Sequence, residues 1–380
     1  MSRGDRWLLA LALALTAVGL IMVYSSSAIL GITRYQDPNH FLTQQLLRVA
    51  LGFAMLLIAA RVRLRALERW APVVLGVAAC LLAMLEVAGH VSHGAQRWLK
   101  VGFFSIQPTD LARLATVVFL AWWLKRRPPA ELGFVRGVLP PLGITAVVSG
   151  LILLQPNLSS AALLGMTGFA MVFLAGARLR HLAVPVAAGA AAVAVALITH
   201  PYMMERFTTF TASWGQAGSG MPDARGAGWQ LDQSLIAIGS GGWFGRGLGG
   251  GLQKYLFLPE AHTDFIFSIL GEELGFAGAT GLLALIALLL WRGMRAAARA
   301  RDPFAHLLAA GLTLQIGLYA VVNLFVATGL APTTGLPLPF VSYGGSALLA
   351  NLAAAGVLYR ISAGNDEREA LTQQRWGRAS

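Results

Sequence analysis

Charge is what this sequence lacks. Only 12% of its 380 residues are Asp, Glu, Lys or Arg, where a soluble globular protein carries about a quarter. With 56% hydrophobic residues and a mean hydropathy of +0.65, there is more apolar surface than soluble cores can hide. That excludes a water-soluble enzyme and leaves lipid as the solvent. Cysteine is nearly absent: the single Cys80 excludes an intrachain disulfide framework and a thiolate metal cluster, and its apolar surroundings predict a small buried core residue. No G-x-x-x-x-G-K-[ST] segment is present, so nothing points to an ATP-driven pump. Acids are scarcer than bases, 17 against 29, for a net charge of +12. In a soluble protein that excess suggests a nucleic-acid partner. Here the bases form short clusters between apolar runs, as in the cytoplasmic loops of membrane proteins, and no nucleic acid is expected.

What is present is a series of apolar runs at 7–28, 46–60, 71–88, 111–124, 137–154, 158–176, 182–199, 265–291, 304–328 and 344–361. Measured against the roughly 20 residues that cross a bilayer, they predict an all-α integral membrane protein with about ten transmembrane helices. The first run, behind Arg3 and Arg6, resembles a secretory signal peptide, but the many later spans make it an uncleaved first helix. Ten spans put both termini in the cytoplasm. The inner loops then hold Arg61, Arg63, Arg65 and Arg69, then Lys125, Arg126, Arg127 and Arg136, then Arg178 and Arg180, then Arg292, Arg295, Arg299 and Arg301. About 20 bases fall inside and about eight outside, the asymmetry of the positive-inside rule. Residues 1–363 read as one polytopic membrane domain and 364–380 as a polar cytoplasmic tail.

Two outer segments are long, 89–110 and 200–263, the second a large extracytoplasmic loop between helices seven and eight. Loops of that length usually carry function. The second includes a short interfacial helix over 229–238 and a glycine-dense stretch over 239–251. Its G-x-G-x-x-G at Gly245, Gly247 and Gly250 follows no parallel-strand unit, so it signals close backbone approach rather than a dinucleotide site. A further run, 333–346, with Pro337, Pro339 and several hydroxyls, predicts a rigid re-entrant or capping loop beside the same outer site.

Acids within or beside membrane spans are costly and point to function. Glu86, Asp110 and Asp264 fall at the outer ends of spans, and Glu272 and Glu273 lie deeper. Arg48 and Arg113 are at similar depth to the outer acids, while Arg97, Lys100, Arg206, Arg225, Arg246 and Lys254 are in the outer loops. Such a mixture suits chemistry on an anionic, lipid-linked substrate: cations hold a phosphate while a carboxylate accepts a proton. An ion path would call for ionisable groups at mid-depth. At about 100° per residue Glu273 points nearly opposite to Asp264, so one helix face cannot relay between them. Asp110 and Arg113 have the spacing of a local ion pair, and Glu272 and Glu273 read as packing and hydrogen-bonding groups. His262 is placed to orient Asp264 or to contact substrate. His90 and His93 have metal-compatible spacing without a nearby carboxylate, and no metal site is assigned.

Five stretches occur in order: Gln230 to Ile238, Gly245 to Gly251, Leu258-Pro259-Glu260-Ala261-His262-Thr263-Asp264-Phe265, Gly271-Glu272-Glu273-Leu274-Gly275 and Leu338 to Ser346. In them the sequence resembles the SEDS (shape, elongation, division and sporulation) family, peptidoglycan glycosyltransferases of the FtsW and RodA type, over nearly its whole length. The resemblance implies ten spans in the bacterial cytoplasmic membrane and polymerisation of lipid II at the outer face. It also implies a class B penicillin-binding protein as transpeptidase partner, with other divisome or elongasome proteins. The family's essential aspartate falls on Asp264, the implied general base. It would deprotonate the acceptor GlcNAc 4-hydroxyl, which attacks the donor's anomeric carbon with inversion and expels undecaprenyl pyrophosphate. Arg48, Arg97, Asp110, Arg113, Arg206, Arg246, Lys254, His262 and Ser342 are the candidate substrate-binding residues. Two family patterns depart: Gln107-Pro108-Thr109-Asp110 with Arg113 replaces a glutamate and lysine, and Gln155-Pro156-Asn157 lacks the family's aspartate. Tyr24-Ser25-Ser26, Glu260-Ala261-His262 and Asn351 favour the division branch, against Thr334 where division members often have lysine. A divalent cation, Mg or Mn, is compatible with pyrophosphate departure. The alternatives are an elongation polymerase, a lipid II flippase and a non-catalytic scaffold for a transpeptidase.

Overall fold

Each of the ten apolar runs is a helix in the computed structural model, which describes residues 4–88, 90–92, 95–101, 104–155, 157–199, 201–213 and 227–376. In chain order these are α1 (Arg6–Tyr35), α2 (His40–Arg61), α3 (Leu64–Ala88) and α4 (Pro108–Arg126). Then α5 (Pro129–Gly133) runs through a π-helical turn, Phe134–Val138, into α6 (Leu139–Leu154), followed by α7 (Leu158–Leu174) and α8 (Leu179–Thr199). The long loop contributes α9 (Pro201–Ser213) and α10 (Ala227–Ser240), the latter over the expected interfacial helix. The last three are α11 (Ile266–Arg299), α12 (Pro303–Ala327) and α13 (Gly345–Trp376).

Among the described residues eight helical segments are long and apolar enough to cross a membrane: α1, α2, α3, α5 with α6, α8, α11, α12 and α13. The shorter α7 is apolar over 17 residues. The nineteen-residue α4 is less apolar because it buries Thr109, Asp110, Arg113 and Thr116 against its neighbours. Helix starts follow local chemistry: the Asp5 and Asp302 carboxylates accept from the amides of Trp7 and Ala305, and Pro108 and Pro303 occupy first turns whose amides need no partner. At the centre, α12 has 67% of its apolar window buried, whereas α8 has 6% and presents its side chains outward. Lipid, not a protein core, is the natural cover for such a face.

Two departures from the sequence reading concern the periphery. The segment 89–110 holds a small antiparallel sheet, β1 (His90–Ser92), β2 (Ala95–Val101) and β3 (Phe104–Ile106), paired in that order. Cys80 is exposed on the outward face of α3 rather than buried, because an apolar run is apolar on its lipid side as well. At the other end of the chain, α13 continues to Trp376, so the last apolar run and the start of the polar tail form one helix.

The basic loops gather at one end of the bundle. There Asp5 pairs with Arg292 at 3.2 Å, its amide donates to Ser362 Oγ at 2.9 Å, and Lys125 bridges Glu68 and Asp302 at 3.1 and 2.9 Å. The starts of α4, α11 and α13 and the end of α12 meet at the opposite end, around Asp264.

Candidate functional site

The turn before α11 is built around Glu260, a non-glycine residue in the left-handed region at φ 52°. Its carbonyl accepts from the amides of Thr263 and Phe265 at 3.1 and 3.3 Å, and its carboxylate accepts from Thr263 Oγ1 at 2.8 Å. Phe265 and Ile266, both buried, anchor the first turn of α11. Asp264 therefore sits at the mouth of the helix rather than along it. Its carbonyl accepts from Asn323 Nδ2 at 2.8 Å, and the same amide nitrogen reaches Leu336 O at 2.7 Å. Ser342 Oγ donates to Thr263 O and accepts from the Leu338 amide at 2.8 Å, while the Tyr343 amide donates to His262 O at 2.9 Å. The proline-containing segment thus lies against 262–264, where the sequence places it. Gly335, at φ 73°, lies beside the Asp264 carboxylate.

Asp264 remains partly accessible at its surface while packed on several sides. Burial, joined by repulsion from Glu260 and opposed by Arg206, pushes its carboxyl up to about 7. Arg206, on α9, is held by donating to Thr333 O at 2.8 Å. Burial holds the His262 imidazole below its ordinary range, with Arg34 adding to the effect and Glu260 opposing it. Its ring packs against Phe41 and Tyr343 at 5.1 and 5.4 Å. Tyr343 is raised by burial and drawn back by Arg48, whose guanidinium lies 4.3 Å from the ring centre. Gln44 Oε1 accepts from both the Tyr343 hydroxyl at 2.7 Å and Arg48 at 3.2 Å. A carboxyl that titrates near neutrality, within the field of Arg206, is equipped to take a proton from an alcohol beside an anionic substrate.

Of the sequence candidates, Arg206, His262 and Ser342 therefore meet at Asp264, and Arg48 joins through Tyr343. Asp110 and Arg113 form a neighbouring buried network instead. Asp110 pairs with Arg113 at 3.4 Å and accepts from Ser346 Oγ at 2.6 Å, and Arg113 reaches Asn351 at 3.4 Å and lies 4.3 Å from the Tyr319 ring centre. At 7% and 2% exposure this pair joins α4 to α13 and does not face outward as a substrate contact.

Lys254 is a clear correction. Its ammonium donates to Glu273 at 2.8 Å, Gly249 O at 2.6 Å and Ser25 Oγ at 3.2 Å, so its three protons are used and no substrate phosphate can claim them. Arg246 likewise turns toward Glu272 at 4.0 Å, with 39% of its side chain exposed. The side chain of Arg97, like those of Glu86, His90, His93, Lys100 and Arg225, lies outside the described residues. Three further residues contribute beyond the sequence candidates: Glu260, Asn323 and Tyr343. Glu260 and Tyr343 stand within the recognised motifs, while Asn323, a polar residue inside an apolar span, was the available signal.

Glu272 and Glu273 organise the glycine-dense loop. The amides of Leu252 and Gln253 donate to Glu272 at 2.8 and 3.2 Å, and the Gly249 amide donates to Glu273 at 3.0 Å. At Gly275, with φ 65° and ψ −163°, α11 is broken, and the loop enters the break. The amides of Arg246 and Gly247 donate to the carbonyls of Glu272 and Glu273, both at 3.0 Å. Those of Phe276 and Ala277 donate to Gly242 O and Trp243 O at 2.8 and 3.1 Å. The interrupted helix thus recovers its partners from the loop. Gly245 abuts the Glu273 carbonyl so closely that a Cβ has no room.

A sequence model of the family described as "Cell cycle protein", covering FtsW, RodA and SpoVE, matches residues 5–367. The chain belongs to this family. Its relatives include a probable peptidoglycan glycosyltransferase FtsW of Coxiella burnetii, 37% identical over 94% of this chain and 96% of the relative. A chain from a peptidoglycan synthase complex that coordinates polymerization and crosslinking superposes with a TM-score of 0.78 at 32% identity, covering 95% and 98%. RodA, the rod shape determining protein of Thermus thermophilus, gives 0.69 at 31%, covering 94% and 96%. Like these members of the FtsW and RodA family, the chain is a multi-pass bacterial membrane protein. Among the described residues no group of three His, Cys, Asp or Glu side chains is arranged to hold a metal ion.

Proposed function

We propose that the protein is a peptidoglycan glycosyltransferase of the FtsW type, which polymerises lipid II at the outer face of the cytoplasmic membrane as part of the division machinery. Asp264 is the general base. It removes the proton from the acceptor GlcNAc 4-hydroxyl as that oxygen bonds to the anomeric carbon of the donor. The bond from that carbon to the pyrophosphate breaks, with inversion, and the electron pair leaves on undecaprenyl pyrophosphate. Arg206 and Arg48 counter the developing negative charge. The observation that carries the reading is Asp264 fixed at the mouth of α11 by its carbonyl and partly accessible between Glu260 and Arg206, where burial pushes its carboxyl up to about 7. Residues 1–363 act as the polytopic domain, 364–380 as the tail, and both termini are cytoplasmic. A class B penicillin-binding protein supplies the transpeptidase, in keeping with the similarity to a chain of a synthase complex.

A flippase needs polar groups along a path at depth, whereas Glu272, Glu273 and Lys254 are spent on one another and on the glycine loop. The test is purified protein given labelled lipid II with its transpeptidase partner. Glycan polymer that disappears in Asp264→Ala, in protein that still folds and binds its partner, is expected; unchanged polymerisation overturns the assignment.

A further inference from the structure

The two turns of α11 that lead away from Asp264 are separated from the rest of that helix by the break at Gly275, and they end on a saturated polar cluster. Ser25 Oγ, from α1, lies 2.7 Å from both Glu273 oxygens, and Lys254 touches Glu273 and Ser25 together. Lys254 and Glu273 show 5% and 0% side-chain exposure. From Lys254 the chain runs through a series of turns directly to Asp264. The Leu258 amide donates to Gln253 O at 3.0 Å, Trp229 Nε1 donates to Phe257 O at 2.9 Å, and Glu260 closes the last turn. The path returns along Ile266 to Glu273, so the aspartate lies on a closed circuit whose one charged fastening is the buried Lys254–Glu273 pair, beside the amides of Leu252 and Gln253 on Glu272. Nothing in the reaction itself requires a lysine and a glutamate there, because neither reaches the Asp264 surface.

We propose that Ser25, Lys254 and Glu273 form a latch that positions Asp264, so that α1 and the glycine loop set where the base stands. They are positioning residues that act through the 255–264 turns and do not touch substrate. The inference rests on the glycosyltransferase reading above. A buried ion pair is severely disturbed when one partner is removed and much less when both go together, which gives the latch a signature separate from simple loss of contacts.

The test uses the full chain with its transpeptidase partner and labelled lipid II, in Ser25→Ala, Lys254→Met, Glu273→Gln and the Lys254→Met/Glu273→Gln double variant. Each charge-removing single is expected to lower kcat by about tenfold or more, with KM for lipid II changed by less than about threefold. Each should also move the midpoint of the acid limb of the rate by about half a pH unit or more. The double variant recovers most of both losses. Ser25→Ala, which leaves the charges paired, folds and loses about threefold in kcat. Should the charge-removing singles fail to fold, Ser25→Ala decides alone: unchanged kcat together with unchanged pH dependence overturns the latch. Amide hydrogen exchange across 255–264, expected to quicken in Ser25→Ala while that of α12 does not, reads the same circuit without activity. If the wild type makes no glycan, the glycosyltransferase reading falls. Unaltered exchange in Ser25→Ala then overturns the latch independently.

Discussion

Two groups of acids belong to the same stretch of chain and behave in opposite ways. Glu272 and Glu273 are 1% and 0% exposed, and between them they accept from three backbone amides, a lysine and a serine. Asp264, in the turn that precedes α11, is held in place by its carbonyl and keeps its carboxylate beside Glu260 and Arg206. A carboxylate whose acceptor sites are filled by fixed donors is part of the framework, and its charge is not available for a reaction. One left beside another carboxylate, partly withdrawn from water, holds its proton loosely near neutral pH. The two groups differ both in exposure, Asp264 being partly accessible, and in the number of committed donors.

The comparison breaks most visibly at Asp264. Replacing it by Ala or Asn should cut glycan formation by about a thousandfold, within the range for losing a general base, while thermal unfolding still reports a folded protein. An Asp264→Asn enzyme with ordinary turnover would put the chemistry elsewhere. On the framework side, Gly245→Ala forces a Cβ onto the Glu273 carbonyl and strains a φ of 77°. It should lower the Tm by several degrees and reduce the yield of folded protein; an unchanged melting curve would mean the loop does not thread the break. For the wild type, turnover should fall about tenfold per unit as pH drops below the Asp264 value near 7, and a profile flat from pH 5 to 8 would remove Asp264 as the titrating base.

The smallest effect is on stability. The folded carboxyl of Asp264, at about 7, lies above its unfolded value near 3.9. The unfolded chain therefore ionises first, and stability declines as pH rises from about 4 to about 7. Asp264→Asn should melt a few degrees higher than the wild type at pH 8 and equally at pH 4. The reverse order would contradict a raised carboxyl.

The helices are legible because lipid demands long apolar stretches, and the place of Asp264 just before α11 is legible from the same runs. Contacts across the chain are not. Lys254 looked like an available cation because sequence records its charge and its loop, but not that Glu273 returns to it at 2.8 Å. The glycines of 245–251 signalled close backbone approach without saying to what, since Gly275 and the opened turn of α11 stand some thirty residues away. The strands at 90–106 are only three to seven residues long, so periodicity has little to act on. Cys80 was misplaced for the reason that limits any apolar run: hydropathy does not distinguish the face toward protein from the face toward lipid.

The loop threaded through the break at Gly275 also bears on how the protein is made. A carboxylate carried into a bilayer on a lone helix costs about 2.5–3.5 kcal/mol, and this helix carries two in succession. The amides of 249, 252 and 253 and the ammonium of Lys254 that receive them all precede Glu272 and Glu273 in the chain. During synthesis the receiving loop is therefore delivered before the acids arrive, and the order of residues along the chain supplies the partners ahead of the charges that need them.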